Sequence, residues 1–310
     1  MNKLKAFLTI IFLALIFCLP VFSQTGASAA QVQEGFQLLQ TEKFSEATTH
    51  FAAILKNDPN NYQARLGLAI GLIGVDKYAE ASREIAKLLA RSPNDAKLLE
   101  MAAQTFFQQK RFVEAEKVLK RRLDLGNATA DFWALYGDAL DAQKKTIEAV
   151  TAYEKAVGLD ADSVNFRYAL GALYWKQIRN DDAERVFLEI LKKLPDEPRA
   201  SFNLGDIYLT NGNAGKAIPY LQVAVKAFPE EFDTHFALGR AFLLVGNFEE
   251  AIKALQSAVN LRPEIAEGYY QLGLALKRNR STAEAKIAFD KAQNLQDAKR
   301  AAEKIPLTKN

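Results

Sequence analysis

The chain has 310 residues, of which 49% are hydrophobic and 25% are charged. These are the values of an ordinary folded protein, and they exclude disordered, collagen-like and disulfide-dense chains. The formal net charge is +3, and two of the positive charges, Lys3 and Lys5, belong to an N-terminal leader. A nearly neutral body is poorly suited to neutralising many phosphates, so we do not expect nucleic acid as a partner.

Cysteine and histidine are too scarce to build a metal site. The sequence holds one cysteine, Cys18, and two histidines, His50 and His235. This inventory cannot provide a Cys/His zinc site or a disulfide. We therefore expect no metal and no cofactor.

Residues 1–23 have the features of a secretory signal peptide. Two lysines precede an uncharged, strongly apolar run that ends at a proline. Cleavage is expected after Ser23 or within residues 27–30, which predicts an extracytoplasmic protein, either periplasmic or secreted. The alternative is an uncleaved N-terminal membrane anchor, because residues 6–22 just reach the lower limit of the about 17–25 residues that a span needs. Contact with a membrane is expected only in that case.

The rest of the chain repeats one pattern every 34 residues, from 28 to 299. Position 20 of the repeat is alanine in all eight copies, position 8 is always glycine or alanine, and position 24 is always large and apolar. Two apolar runs at helical spacing, separated by a turn, predict a helix–turn–helix unit. The small residues let the two helices approach closely, and the side chain at position 24 fills the space beside them. The eight predicted repeats, followed by a polar tail at 300–310, are 28–61, 62–95, 96–129, 130–163, 164–197, 198–231, 232–265 and 266–299.

A single hairpin of this length cannot bury its apolar face, but a stack of hairpins can. The predicted fold class is therefore all-α, a solenoid of helical pairs. The third repeat departs from the pattern, because Arg122 occupies position 27, where a small or apolar residue is expected, and Gly126-Asn127 replaces the usual proline. These departures predict a looser junction between the third and fourth repeats.

The repeat resembles the tetratricopeptide repeat (TPR) family. The residues that carry the resemblance in the fifth and eighth repeats are Leu170-Gly171, Tyr174, Ala183, Phe187, Pro195, Tyr269, Leu272-Gly273, Leu276, Ala285, Phe289 and Ala292. The resemblance implies a right-handed superhelix whose first helices line a concave groove. It also implies an adaptor or scaffold that binds peptides or helices of other proteins and has no catalytic activity of its own.

When the family register is placed on this chain, the groove of repeats five to eight receives one aromatic residue per repeat, with amide and basic neighbours. These predicted protein-binding residues are Tyr168, Trp175, Arg199, Phe202, Asn203, Phe236, Arg240, Tyr270 and Lys277. Rigid aromatic rings beside such groups suit the docking of an extended peptide. The alternative is a packing role, because an aromatic residue is common at this position throughout the family.

The groove positions of repeats one and two are instead apolar. They are Val32, Phe36, Leu39, Leu66, Ile70 and Ile73. An exposed patch of this kind would indicate an interface with a partner helix or with a second copy of the chain, giving a homodimer. The alternative is that these residues are buried locally within the terminal repeats.

The sequence therefore predicts a non-enzymatic scaffold that binds other proteins, with a role in envelope assembly or secretion. The alternative function is that of a regulatory or substrate-recruiting subunit of an envelope enzyme complex, whose catalysis would lie on another chain.

Overall fold

The computed structural model describes the backbone of residues 26–303 and the side chains of residues 29–302. The predicted signal peptide at 1–23 and residues 304–310 of the predicted tail lie outside this range. Within it the chain forms sixteen α-helices and no strand, so the all-α prediction is confirmed. None of these helices is both long enough and apolar enough to cross a membrane.

Each predicted repeat contains one pair of helices, which confirms the helix–turn–helix unit. The first helices of the repeats are α1 (Gly26–Gln40), α3 (Tyr62–Gly74), α5 (Ala96–Gln108), α7 (Ala130–Asp141), α9 (Val164–Lys176), α11 (Pro198–Thr210), α13 (Phe232–Leu244) and α15 (Ala266–Arg278). The second helices are α2 (Phe44–Asn57), α4 (Tyr78–Arg91), α6 (Phe112–Asp124), α8 (Thr146–Leu159), α10 (Asn180–Lys193), α12 (Ala214–Ala227), α14 (Phe248–Leu261) and α16 (Thr282–Glu303). The last helix continues past Lys299, the predicted end of the eighth repeat.

Side-chain caps fix where several first helices begin. The residue before α3, Asn61, accepts a hydrogen bond from the backbone N–H of Ala64 (2.9 Å), and Asp95, Ser163 and Glu197 cap α5, α9 and α11 in the same way. Each cap provides an acceptor for an N–H group that has no partner within the helix. The last position of the repeat is thus a helix start signal in these four copies.

The turn inside every repeat depends on a left-handed residue at position 15. These residues, all with positive φ, are Glu42, Asp76, Lys110, Lys144, Ile178, Gly212, Gly246 and Arg280. In the fifth repeat, the N–H of Ile178 donates to the carbonyl of Trp175 (2.8 Å) and that of Arg179 to Tyr174 (2.9 Å), which is a Schellman motif. Because Ile178 is β-branched, its φ of 61° is strained.

The predicted pairing of positions 8 and 24 forms the core of each repeat. In the fifth repeat, a Cβ on Gly171 would lie 2.9 Å from the ring of Phe187, which is fully buried. In the sixth repeat, a Cβ on Gly205 would lie 2.6 Å from Leu221. The two helices are therefore close enough for the side chain at position 24 to fill the space over position 8.

The chain divides into two compact units, Met1–Ala161 and Asp162–Asn310. The division falls beside the predicted boundary between the fourth and fifth repeats. Within the second unit, α9 contacts α11, α11 contacts α13, and α13 contacts α15, in addition to the contacts between helices adjacent in the chain. The first helices of this unit therefore form a continuous face.

Arg122 links the third and fourth repeats within the first unit. Its buried guanidinium pairs with Glu100 on α5 (2.8 Å), donates to the carbonyl of Gly126 (3.1 Å) and lies over the ring of Phe132 on α7, 5.2 Å from its centroid. The expectation that Arg122 loosens this junction is therefore wrong, because the side chain makes contacts on both sides of it.

Candidate functional site

The candidate site is the first-helix face of the second unit, defined by the residues that α9, α11, α13 and α15 present at positions 2, 5, 6, 9 and 12 of their repeats. Its position-5 rings are Tyr168, Phe202, Phe236 and Tyr270, one on each helix. The first three rings are half-buried, and Tyr270 is 44% exposed. Because consecutive first helices are in contact, these rings follow one another along a single surface.

Two of these rings also support the interior of their repeats. Tyr168 lies against Phe187 and Tyr270 against Phe289, with ring centroids 5.9 and 5.7 Å apart. In both pairs the partner is the position-24 residue on the second helix of the same repeat. On one side, each of these two rings packs against the interior of its own repeat, as the packing alternative predicts. At Tyr270, the other side of the ring is open to solvent.

Three predicted binding residues meet between α9 and α11. The side-chain amide of Asn203 donates to the hydroxyl of Tyr168 (3.0 Å) and to the carbonyl of Arg199 (2.8 Å). The guanidinium of Arg199 lies over the ring of Tyr168, 4.7 Å from its centroid, and pairs with Glu197 (3.0 Å). Asn203 is buried, so its role here is to hold Tyr168 in place between two repeats.

A second group of predicted residues lies on α13. The ring of Phe236 stacks on Phe232 at 5.2 Å, and the guanidinium of Arg240 lies 5.7 Å from the centroid of the Phe236 ring. Of the remaining predicted residues, Trp175 is half-buried on α9 and Lys277 is exposed on α15. The structure therefore places all nine residues on the same set of helices, in separate local groups.

Asp206 is a residue of this face that the sequence analysis missed. It is half-buried on α11, and burial is the main cause that raises the pKa of its carboxyl group above the usual range. The positive charge of Arg240 opposes the rise, and the negative charge of Asp233 adds to it. The signal was available, because Asp206 stands at position 9 of its repeat, as Arg240 does, one helical turn after an aromatic ring.

The apolar patch expected on repeats one and two is not exposed. Val32, Leu39, Leu66, Ile70 and Ile73 are all buried, at no more than 7% exposure, and Phe36 is half-buried against Phe51 with ring centroids 5.2 Å apart. These residues belong to one core cluster that extends to Leu98 and Met101 of the third repeat. The expected interface patch is therefore wrong, and the alternative of local burial holds.

Neither histidine points to a catalytic site. The Nε2 atom of His50 lies 2.7 Å from the carbonyl oxygen of Gln31, and that of His235 lies 2.9 Å from the carbonyl oxygen of Pro229. Among residues 26–303, no group of three or more His, Cys, Asp or Glu side chains is arranged to hold a metal ion. Each imidazole thus makes a local contact with the backbone.

Sequence models of the tetratricopeptide repeat match most of the chain. One matches residues 168–232, another 38–99 and 72–139, and another 266–299; a further model, described as TPR repeat, matches 137–177 and 239–279. Together they cover residues 38–299 apart from 233–238. The comparison with curated proteins gave no match.

Several solved structures share the fold. MamA from Desulfovibrio magneticus RS-1, solved from residue 41 to its end, is 24% identical over 55% of this chain and 96% of its own, with a TM-score of 0.52. MamA MSR-1 is 26% identical over 55% of this chain and 98% of its own, with a TM-score of 0.50. A double mutant of MamA RS-1 is 23% identical over 56% of this chain and 97% of its own, with a TM-score of 0.53. These likenesses support the helical-repeat fold.

Proposed function

Because the chain belongs to the tetratricopeptide repeat family, we propose that it is a non-enzymatic scaffold that binds peptide or helical segments of other proteins on the first-helix face of its second unit. The observation that carries the proposal is the row of four position-5 rings on helices that contact one another. Partly open aromatic rings held by buried partners can gain contact area with little loss of conformational freedom.

The order of the site supports binding rather than chemistry. Tyr168 is fixed by Asn203, Phe236 by its stack on Phe232, and Tyr270 by Phe289. A surface that is already arranged spends less binding energy on ordering its own side chains. We infer that the mechanism is attachment of partner segments to a preformed surface, with no reaction step on this chain.

The double substitution Phe202→Ala with Phe236→Ala tests the proposed surface. We expect the variant to stay folded, since both rings are half-buried on the surface, and to capture its partners at least tenfold less well in affinity purification from envelope extract, measured by quantitative mass spectrometry. Tyr220→Ala is a matched control, because Tyr220 is a half-buried aromatic residue on α12, a second helix of the same unit. Equal capture by all three proteins would contradict the proposal.

We further propose that the protein works outside the cytoplasm, in envelope assembly or secretion. The support for this location is the sequence of the leader, with two lysines before an apolar run. Cell fractionation with intact-mass measurement tests it. A mature chain that starts after Ser23 or within 27–30 in the periplasm or medium is the expected result. An uncleaved, membrane-bound chain would instead favour the anchor, and a cytoplasmic full-length chain would contradict both.

A further inference from the structure

Within the described part of the chain, Asp206 differs from Arg199 on the same helix in lacking a hydrogen-bond or ion-pair partner. Among the described residues, its carboxylate receives no hydrogen bond and makes no ion pair. Arg199 is occupied by Glu197 and the ring of Tyr168, and Arg240 lies over Phe236. The positive charge of Arg240 lowers the pKa of this carboxyl group, but burial and the charge of Asp233 outweigh it, so the half-buried carboxylate is less stabilised than it would be in water.

Aromatic residues lie on the helix that carries Asp206 and on the next first helix. Phe202 precedes Asp206 by four residues on α11, so the two side chains are neighbours on one helix face. Phe236 lies on α13, which contacts α11, and Arg240 and Asp233 on the same helix are close enough to influence the Asp206 charge. The half-buried carboxylate of Asp206 therefore shares this part of the face with aromatic residues and with the charge of Arg240.

Such a place fits the side chain of lysine or arginine. The methylene stem of either residue packs along apolar surface, and the charged head needs an anion at the end of that surface. A metal ion is less suited, because no group of three or more acidic or histidine side chains is gathered anywhere in the described chain. A lysine or arginine side chain therefore matches the surroundings of Asp206 in both charge and shape.

We propose that Asp206 binds a lysine or arginine side chain of an extended partner segment, whose stem packs between Phe202 and Phe236. The inference rests on the proposed function, because it takes the first-helix face as the ligand surface. It adds the chemistry of the partner, a basic residue flanked by apolar ones.

Selection from a random library of twelve-residue phage-displayed peptides on the immobilised full-length chain tests the proposal. We expect the selected peptides to share a lysine or arginine at one fixed position beside apolar residues. Synthetic copies should bind Asp206→Asn at least about tenfold more weakly than the unaltered chain by fluorescence anisotropy, because a charge-assisted contact to a half-buried carboxylate is lost. Asp196→Asn is the matched control, since Asp196 is an exposed aspartate of the same unit, and it should bind as the unaltered chain does.

A second variant guards against a trivial loss of folding. Asp206→Lys should select peptides that carry Asp or Glu at the same position, a gain that an unfolded protein could not show. Peptides that bind Asp206→Asn unchanged but lose affinity for Phe202→Ala would overturn the role of Asp206 and leave the proposed function standing. Peptides whose affinity depends on neither residue, or a selection that yields none, would overturn both.

Discussion

The residue at position 8 sets how closely the two helices of a repeat approach. Glycine occupies this position wherever position 24 is aromatic, as in the pair Gly171 and Phe187. Alanine occupies it in the second and third repeats, where position 24 is aliphatic, as in the pair Ala103 and Leu119, whereas glycine faces leucine in the sixth and seventh repeats. The two positions therefore share one volume, and a larger residue at one requires a smaller residue at the other.

Gly171→Ala should destabilise the protein by about 1–3 kcal/mol, because the new methyl group would lie 2.9 Å from the Phe187 ring in a packed interior. Adding Phe187→Leu recreates the pair found in the third repeat. We expect the double variant to be more stable than the sum of the single effects predicts, with a coupling energy of about 0.5–3 kcal/mol. The free energies of unfolding of Gly171→Ala, Phe187→Leu and the double variant are measured by urea denaturation, monitored by circular dichroism.

Gly158→Ala is the control for the effect of glycine itself. Gly158 lies on α8, and a Cβ there would meet nothing within 4 Å. This variant should gain up to about 1 kcal/mol, since alanine is the better helix former. A loss at Gly158 as large as at Gly171 would show that backbone propensity, and not the space beside position 24, explains the glycines.

At the scale of the element, the junction of α5, α6 and α7 depends on one buried ion pair. The side chains of Arg122 and Glu100 are 9% and 14% exposed, and the guanidinium also reaches Gly126 and Phe132. A buried pair of this kind is costly to break, because the remaining charge is left without compensation.

Arg122→Ala should therefore destabilise the chain by about 3–5 kcal/mol. The double variant Arg122→Leu with Glu100→Leu should cost less, because it leaves no unpaired buried charge. Arg121→Ala is a matched control, since Arg121 is exposed and donates hydrogen bonds to the side chain of Asn94, and it should change the free energy of unfolding by less than about 0.5 kcal/mol. Equal losses for Arg121→Ala and Arg122→Ala would contradict the argument.

The helices themselves could be predicted because their signals are local. The 34-residue spacing, the turn before each second helix and the small residues at positions 8 and 20 all repeat without a gap. Arg122 could not be interpreted from spacing alone, because its partner Glu100 is on another helix and its cation–π contact is in the next repeat. A charged residue at an apolar position indicates a loose junction between repeats only when no oppositely charged partner of that residue is known.

The candidate site was predicted in part, for a related reason. The register identified the helices that carry the predicted binding residues, and the structure places Tyr168, Arg199 and Asn203 in contact. The register does not show how deeply neighbouring helices bury the side chain at a given position. Ile70 and Asp206 both stand at position 9, yet Ile70 is 1% exposed within a core cluster and Asp206 lies half-buried on an open face.

At the scale of the whole molecule, each of the two compact units is built from contacts between neighbouring repeats and not around one centre. In such an array stability is the sum of repeat terms and nearest-neighbour terms, so a block of whole repeats can fold if it is long enough. The second compact unit, Asp162–Asn310, contains four complete helical pairs and the entire proposed binding face. A stable stack needs at least about three repeats, and this unit has four.

The fragment 162–310 should therefore fold alone and keep the peptide binding assigned to Asp206. We expect a helical circular dichroism spectrum, cooperative thermal unfolding and peptide affinities within about threefold of the full chain, because every repeat in it retains both helices. The control is the fragment 145–293, of equal length, which begins with α8 without its partner α7 and cuts α16 short. It should unfold at a lower temperature, since its terminal helices lack surfaces to pack against. A disordered 162–310 fragment, or equal stability of the two fragments, would show that whole repeats are not the units of folding.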